Sequence, residues 1–266
     1  MKTLRRAACV LLAAFSFLAV PAYSTSFSVD QSDLYYVATE SGWGIQLVQR
    51  GSIIFATLFV YGPSGTPTWY VATMNSADGV TWTGDLLATT GPYLATVPFN
   101  PANVTVTKVG TMTWVPQTTA TGTLTYVVSG VTIVKNITRQ SLVLDDYNGT
   151  YLGAIHFQAT GCTDPSNNTP AFESPLATTT IAQNGQSVTL TISILGTALT
   201  VSGTVGQDGQ FGSVAGTYTA TGGEIGNAAV SQMNVQTNSL SASFSLQSTN
   251  IGCLNTGYFA GMRSRP

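Results

Sequence analysis

The stretch NGQSVTLTISILGTALTVSGTVGQDGQF, residues 184–211, decides the fold. Val188, Leu190, Ile192 and Ile194 share one parity and Ser187, Thr189, Thr191 and Ser193 the other, the two-residue period of a strand with one apolar and one wet face. Asn184-Gly185 precedes this run and Asp208-Gly209 precedes the run that begins at Phe211. Both dipeptides suit a two-residue hairpin turn, whose central positions need positive φ. Consecutive runs joined in this way predict an antiparallel meander.

The same rhythm fills the chain, with Val, Ile, Thr and aromatic runs punctuated by Gly, Pro, Asn and Asp and no sustained helical period. In the first half it predicts strands at 34–38, 42–50, 52–62, 68–75, 80–88, 104–115, 122–128 and 131–140. In the second half it predicts them at 150–158, 177–182, 187–194, 198–205, 211–220, 228–237, 239–247 and 254–263. Each half therefore carries eight. Between them SLVLDDYNG places Asp145, Asp146 and Asn148 in a polar turn cluster, which marks a boundary between an N-terminal domain over 34–142 and a C-terminal domain over 149–264. The expected class is all-β, two tandem antiparallel up-and-down eight-stranded β-barrels, because closure removes the exposed strand edges that invite aggregation. A pair of β-sandwiches is the alternative.

The first residues read MKTLRRAACVLLAAFSFLAVPAYS: Lys2, Arg5 and Arg6, then an apolar run over 7–20, then Pro21 and the small-residue site ending at Ser24. That is the pattern of a signal peptide over 1–24, too short in its apolar part for the roughly 20 residues of a spanning helix. Cys9 would leave with it, and no transmembrane helix is expected afterwards. Six basic side chains would then face eleven acidic ones, a net charge of −5. No basic stripe exists, so nucleic acid is not an expected partner. The predicted location is secreted or periplasmic. Charged residues make up only 8% of the chain, which keeps an outer-membrane barrel as a further alternative.

Export also governs the cysteines. Cys162 and Cys253 remain after the leader and are expected to form a disulfide in an oxidising compartment. His156 is the sole histidine, and no GxSxG, CxxC or HxxxH pattern occurs. A nucleophile with its base, or a metal set, is therefore hard to assemble, and Asp145 with Asp146, or Asp164 with Glu173, lack the arrangement of a hydrolytic carboxylate pair. No enzyme activity, metal or cofactor is expected. TDPSNNTP, 163–170, reads as a polar loop tethered by the disulfide.

All four tryptophans, Trp43, Trp69, Trp82 and Trp114, lie in the first half. They read first as barrel core and second as the lining of a cavity for a small apolar or sugar ligand, with Tyr70 beside them. Gly42 and Gly44 flank Trp43, as a sharply bent strand would allow. SIIFATLFVYG differs from the other strands: Ile53, Phe55, Phe59 and Tyr61 share one face, Ile54, Ala56, Leu58 and Val60 the other, so both faces are expected to be covered. The second domain, a loop, a protein partner or a second copy could cover the outer face over Ser52 to Gly62. Lys135 and Arg139 share parity with Val131, Ile133 and Ile137. If that face is interior they need partners, and the eighth strand of a closed barrel would set Arg139 near Asp33 and Lys135 closer to Glu40, so that at least one of these two pairs is expected to form. Glu40, Lys135 and Arg139 are thus the polar anchors expected for a ligand.

ESGWGIQLVQRG, IIFATLFVYGPSGTPTWY and TGTLTYVVSGVTIVKNITRQ together resemble a module of secreted proteobacterial proteins, found alone or attached to exported enzymes and without an assigned activity. The resemblance spans 34–140. GTYLGAIHF at 149–157 and GTYT at 216–219 more weakly resemble the calycin barrels, lipocalins and avidins, although the lipocalin GxW signature is absent and no biotin-binding pattern is recognisable. That likeness implies fold alone. The expected function is an exported non-catalytic binding or accessory protein with a small-molecule or glycan ligand; the alternative is an envelope-associated structural or protein-interaction module.

Overall fold

A computed structural model describes residues 29–264. The predicted signal peptide lies outside the described residues. Sixteen strands form two closed antiparallel barrels, each a meander in strict chain order. The first holds β1 (Asp33–Tyr36), β2 (Gly44–Arg50), β3 (Ile53–Tyr61), β4 (Pro67–Asn75), β5 (Trp82–Thr90), β6 (Thr105–Pro116), β7 (Thr121–Val128) and β8 (Val131–Arg139). The second holds β9 (Gly149–Thr160), β10 (Thr169–Asn184), β11 (Ser187–Ile194), β12 (Thr197–Asp208), β13 (Phe211–Ala220), β14 (Ile225–Gln236), β15 (Ser239–Ser248) and β16 (Leu254–Arg263). The sandwich alternative is excluded because β1 pairs with β8 and β9 with β16.

Alternation assigns the two faces. In β11 Val188, Leu190 and Ile192 are buried while Ser187, Thr189 and Ser193 stay exposed. The Asn184-Gly185 and Asp208-Gly209 turns form, with φ of 58° and 60° at the glycines. A third hairpin turns through Leu195 and Gly196, both at positive φ, without the Asn or Asp that would have announced it. β10 runs sixteen residues where the sequence suggested six, because its N-terminal part, holding Pro170 and Pro175, reaches β9 only through register shifts. Prolines and bulges hide a strand from pattern reading.

The two barrels close by the same device. Tyr35 of β1 stands opposite Arg139 of β8, and Tyr151 of β9 stands opposite Arg263 of β16. Each arginine lies over its tyrosine ring, at 5.1 and 5.4 Å from the centroid. Each tyrosine donates its hydroxyl to the carbonyl four residues earlier, Gln31 or Tyr147, at 3.1 Å. Gln31 and Tyr147, both buried, thus cap the same end of their respective barrels. The stretch read as a simple boundary therefore also supplies an end plug.

Those capped ends meet. Arg139, whose side chain has no exposed surface, binds Asp33 Oδ2 and the Ser32 carbonyl at 3.0 Å, Thr119 O at 2.7 Å and Asp30 O at 2.5 Å. Its far side faces Phe211 of the second barrel at 4.9 Å. The β12–β13 turn docks here: Gln210 donates its backbone N–H to Asp33 Oδ2 at 2.8 Å and its side-chain amide to Ser32 O at 2.8 Å. A Cβ on Gly209 would fall 2.0 Å from that carboxylate oxygen, so only glycine allows the approach.

One expectation is overturned in part. Neither the second barrel nor a described loop covers the outer face of β3: Phe55, Phe59 and Tyr61 are 46, 50 and 58% exposed, and Trp69, opposite Phe59, is 49% exposed. The second barrel packs against an end of the first, where the buried Arg139 and Asp33 need partners, and leaves this side bare. The glycines beside Trp43 also act differently, since Gly42 (φ 115°) belongs to the β1–β2 turn and Gly44 begins the strand.

Candidate functional site

With one end of each barrel capped and docked, the opposite ends are free mouths. At the first mouth the β1–β2 turn carries Glu40 and Trp43, and β8 brings Lys135 to them. Lys135 Nζ lies 2.7 and 2.8 Å from the two Glu40 oxygens, and Trp43 Nε1 donates to Glu40 Oε2 at 3.1 Å. The Lys135 hydrogen bond, then that from Trp43, holds the Glu40 carboxyl below its usual range. The ammonium also stands 5.9 Å from the Trp43 ring. Tyr70 is half-buried in this rim, and burial pushes the Tyr126 phenol up, with Lys135 opposing. The cation here already has its counterion.

The remaining residues expected at this site are elsewhere. Trp82 and Trp114 pair across β5 and β6 and fill the interior, and Trp114 Nε1 donates to Gln31 Oε1 at 3.2 Å. At roughly 200 Å² apiece and about 25 cal/mol per Å², each indole stabilises the core by on the order of 5 kcal/mol, an upper figure. Gly122 makes room for this packing, since a Cβ there would sit 2.3 Å from the Trp114 ring. Arg139 belongs to the joint between barrels and Trp69 to the bare outer face. Of the expected set, the structure therefore brings together Glu40, Trp43, Tyr70 and Lys135, and separates Trp69, Trp82 and Arg139 from them.

The second mouth holds what the sequence did not announce. A cavity of about 200 Å³ lies there, walled by apolar side chains that include Ile155, Phe157, Leu199, Phe244 and Leu246. Three polar groups converge on it. Glu224 Oε1 accepts from Tyr218 Oη at 2.6 Å and from Asn255 Nδ2 at 2.8 Å. Burial, then the Glu224 hydrogen bond, pushes the Tyr218 phenol up to about 12, so it remains a neutral donor. The rim is fixed covalently, for the expected Cys162–Cys253 disulfide joins the segment after β9 to the one before β16 across 91 positions. Tyr218 falls within the GTYT words and on the inward parity of β13, which was the available signal. Glu224 and Asn255 come from separate loops and strands, and only closure makes them neighbours.

His156 stacks on Tyr258 at 4.9 Å and faces Glu173 at 3.3 Å. Among the described residues no group of three His, Cys, Asp or Glu side chains is arranged to hold a metal ion. No helix among them is long and apolar enough to cross a membrane.

Comparison with known proteins adds little. No family model matches the chain, and no curated protein matches it. A crystal structure of a Bacteroides fragilis protein, provisionally called an outer membrane protein, is similar at 15% identity, covering 86% of this chain and 94% of that one with a TM-score of 0.32. That likeness is too loose to carry an argument about this chain.

Proposed function

We propose that this is an exported, non-catalytic binding protein of the cell envelope or its surroundings, which holds a small, mainly apolar ligand in the mouth of its second barrel. The observation that carries the reading is the 200 Å³ apolar cavity with its convergent Tyr218, Glu224 and Asn255. A void of about 150 Å³ suffices for a benzene-sized guest. The first mouth, where aromatic residues suggested an apolar or glycan ligand, is the weaker candidate, because Lys135 and Glu40 satisfy each other and Trp82 and Trp114 fill the interior. The disulfide and the leader-like N-terminal sequence support export. In the second barrel, the apolar interior and the hydroxyl-rich outer face of β11 are the reverse of a membrane-spanning barrel, whose outside is apolar.

The test is titration of the full chain with 2-phenylethanol, read by amide chemical shifts. Changes should cluster on Leu199, Tyr218 and Phe244, and Leu199→Trp, which fills the cavity, should remove them. A response confined to the first barrel, or none, would overturn this function.

The bare aromatic row of Phe55, Phe59, Tyr61 and Trp69 favours a second reading, an envelope interaction module or homo-oligomer that covers β3. Light scattering of the purified chain checks it: a mass above one chain that falls with Phe59→Ser supports this reading, and a monomer insensitive to that substitution removes it.

A further inference from the structure

We infer that the mouth of the second barrel selects a small primary ammonium with a short apolar tail, and that Glu224 is its counterion. The inference rests on the cavity binding proposed above and names the chemistry of its ligand. Glu224 is the sole charged side chain lining the cavity. Among the described residues the ion pairs are Lys108 with Asp85, Lys135 with Glu40, Arg139 with Asp33 and His156 with Glu173, so Glu224 has no cation of its own. Its environment is otherwise built to keep it in place. Both hydrogen bonds arrive at Oε1, from Tyr218 and Asn255, and no described residue donates to Oε2. Oε2 is not sealed in the interior: it stays accessible at the mouth, where a donor on a guest can reach it.

An ammonium group suits this site in three ways. It carries three N–H donors, one of which would bind Oε2 as a charge-assisted hydrogen bond. Phe157, Phe244 and Tyr218 line the same cavity, and aromatic rings attract a cation. The apolar walls take the tail, and a volume of about 200 Å³ limits it to little more than one six-membered ring. A carboxylate or phosphate ligand would be repelled by Glu224, and a neutral guest would leave its charge uncompensated. A cation too large for the mouth would lose the walls.

The experiment compares 2-phenylethylamine with 2-phenylethanol, nearly equal in shape and different in charge, by calorimetric titration of the full, disulfide-bonded chain at pH 7. The amine should bind at least tenfold more tightly. In Glu224→Gln, which keeps a carbonyl acceptor for Tyr218 and Asn255, amine affinity should fall at least tenfold and the preference for the amine over the alcohol should disappear. Equal affinities of the two compounds for the native chain would overturn the inference but leave apolar binding standing. Binding of neither would overturn both. The native-chain comparison needs no variant, so the inference stays testable if Glu224→Gln does not fold.

Discussion

Replacing Arg139 with methionine should cost about 3–5 kcal/mol of stability, the range for removing one partner of a buried ion pair. The magnitude follows from what the guanidinium leaves behind. Asp33, with 16% of its side chain exposed, would keep the backbone N–H groups of Leu34 and Gln210 but lose its counterion. The carbonyls of Asp30, Ser32 and Thr119 would each lose a charged donor, and the rings of Tyr35 and Phe211 would lose the cation between them. The seam itself is short, with β1 and β8 paired through Tyr35–Arg139 and Tyr36–Thr138, so few backbone bonds compensate. Urea unfolding followed by tryptophan fluorescence is the assay, because all four tryptophans lie in the first half and report that barrel selectively. Arg139→Met combined with Asp33→Leu should recover part of the loss, since the stranded carboxylate is gone. A cost below about 1 kcal/mol for Arg139→Met would refute the reasoning, for it would mean the pair is worth no more than a surface one.

Gly122→Ala should destabilise the first barrel by about 1–3 kcal/mol and shift the tryptophan emission, as the new methyl displaces the Trp114 ring; urea titration with emission spectra checks both. Replacing Cys162 and Cys253 with serine should cost about 2–5 kcal/mol, measured by urea unfolding followed by circular dichroism, with the tryptophan transition little changed because the disulfide lies in the second barrel. Asp78 accepts from the backbone of Val80 and Thr81 and from Ser76, in that β4–β5 turn, which lowers its pKa to about 2 from 3.8. Its contribution is therefore complete above pH 3.8 and disappears as pH falls through about 2. The Val80 and Thr81 amide signals should titrate with a midpoint near 2, and a midpoint near 4 would refute the assignment.

The legibility of this chain differs by feature. Local alternation in residues 187–194, together with Asn184-Gly185 and Asp208-Gly209, was enough for strand type, strand order and meander, because side-chain period and turn conformation are properties of neighbouring residues. Lys135 and Arg139 on an apolar parity foretold ion pairs, since a charge facing an interior must be matched, and both pairs form. The long β10 stayed hidden because Pro170 and Pro175 break the pattern without ending the pairing. The cover of β3 by the second barrel or a loop failed for a different reason: apolar content on both faces states that burial would be favourable, not which neighbour supplies it.

The sequence by itself determined that this chain forms two antiparallel eight-stranded meanders with apolar interiors and a disulfide within the second, because hydrophobic period, turn chemistry and cysteine count act at short range or admit few solutions. Only the tertiary structure decided that the barrels join at their capped ends through Arg139, Asp33 and the Gly209 turn, and that Tyr218, Glu224 and Asn255 share one cavity. Those groups are separated by up to 37 positions in the chain, and the distance between them is set by ring closure and strand register, which no local pattern encodes.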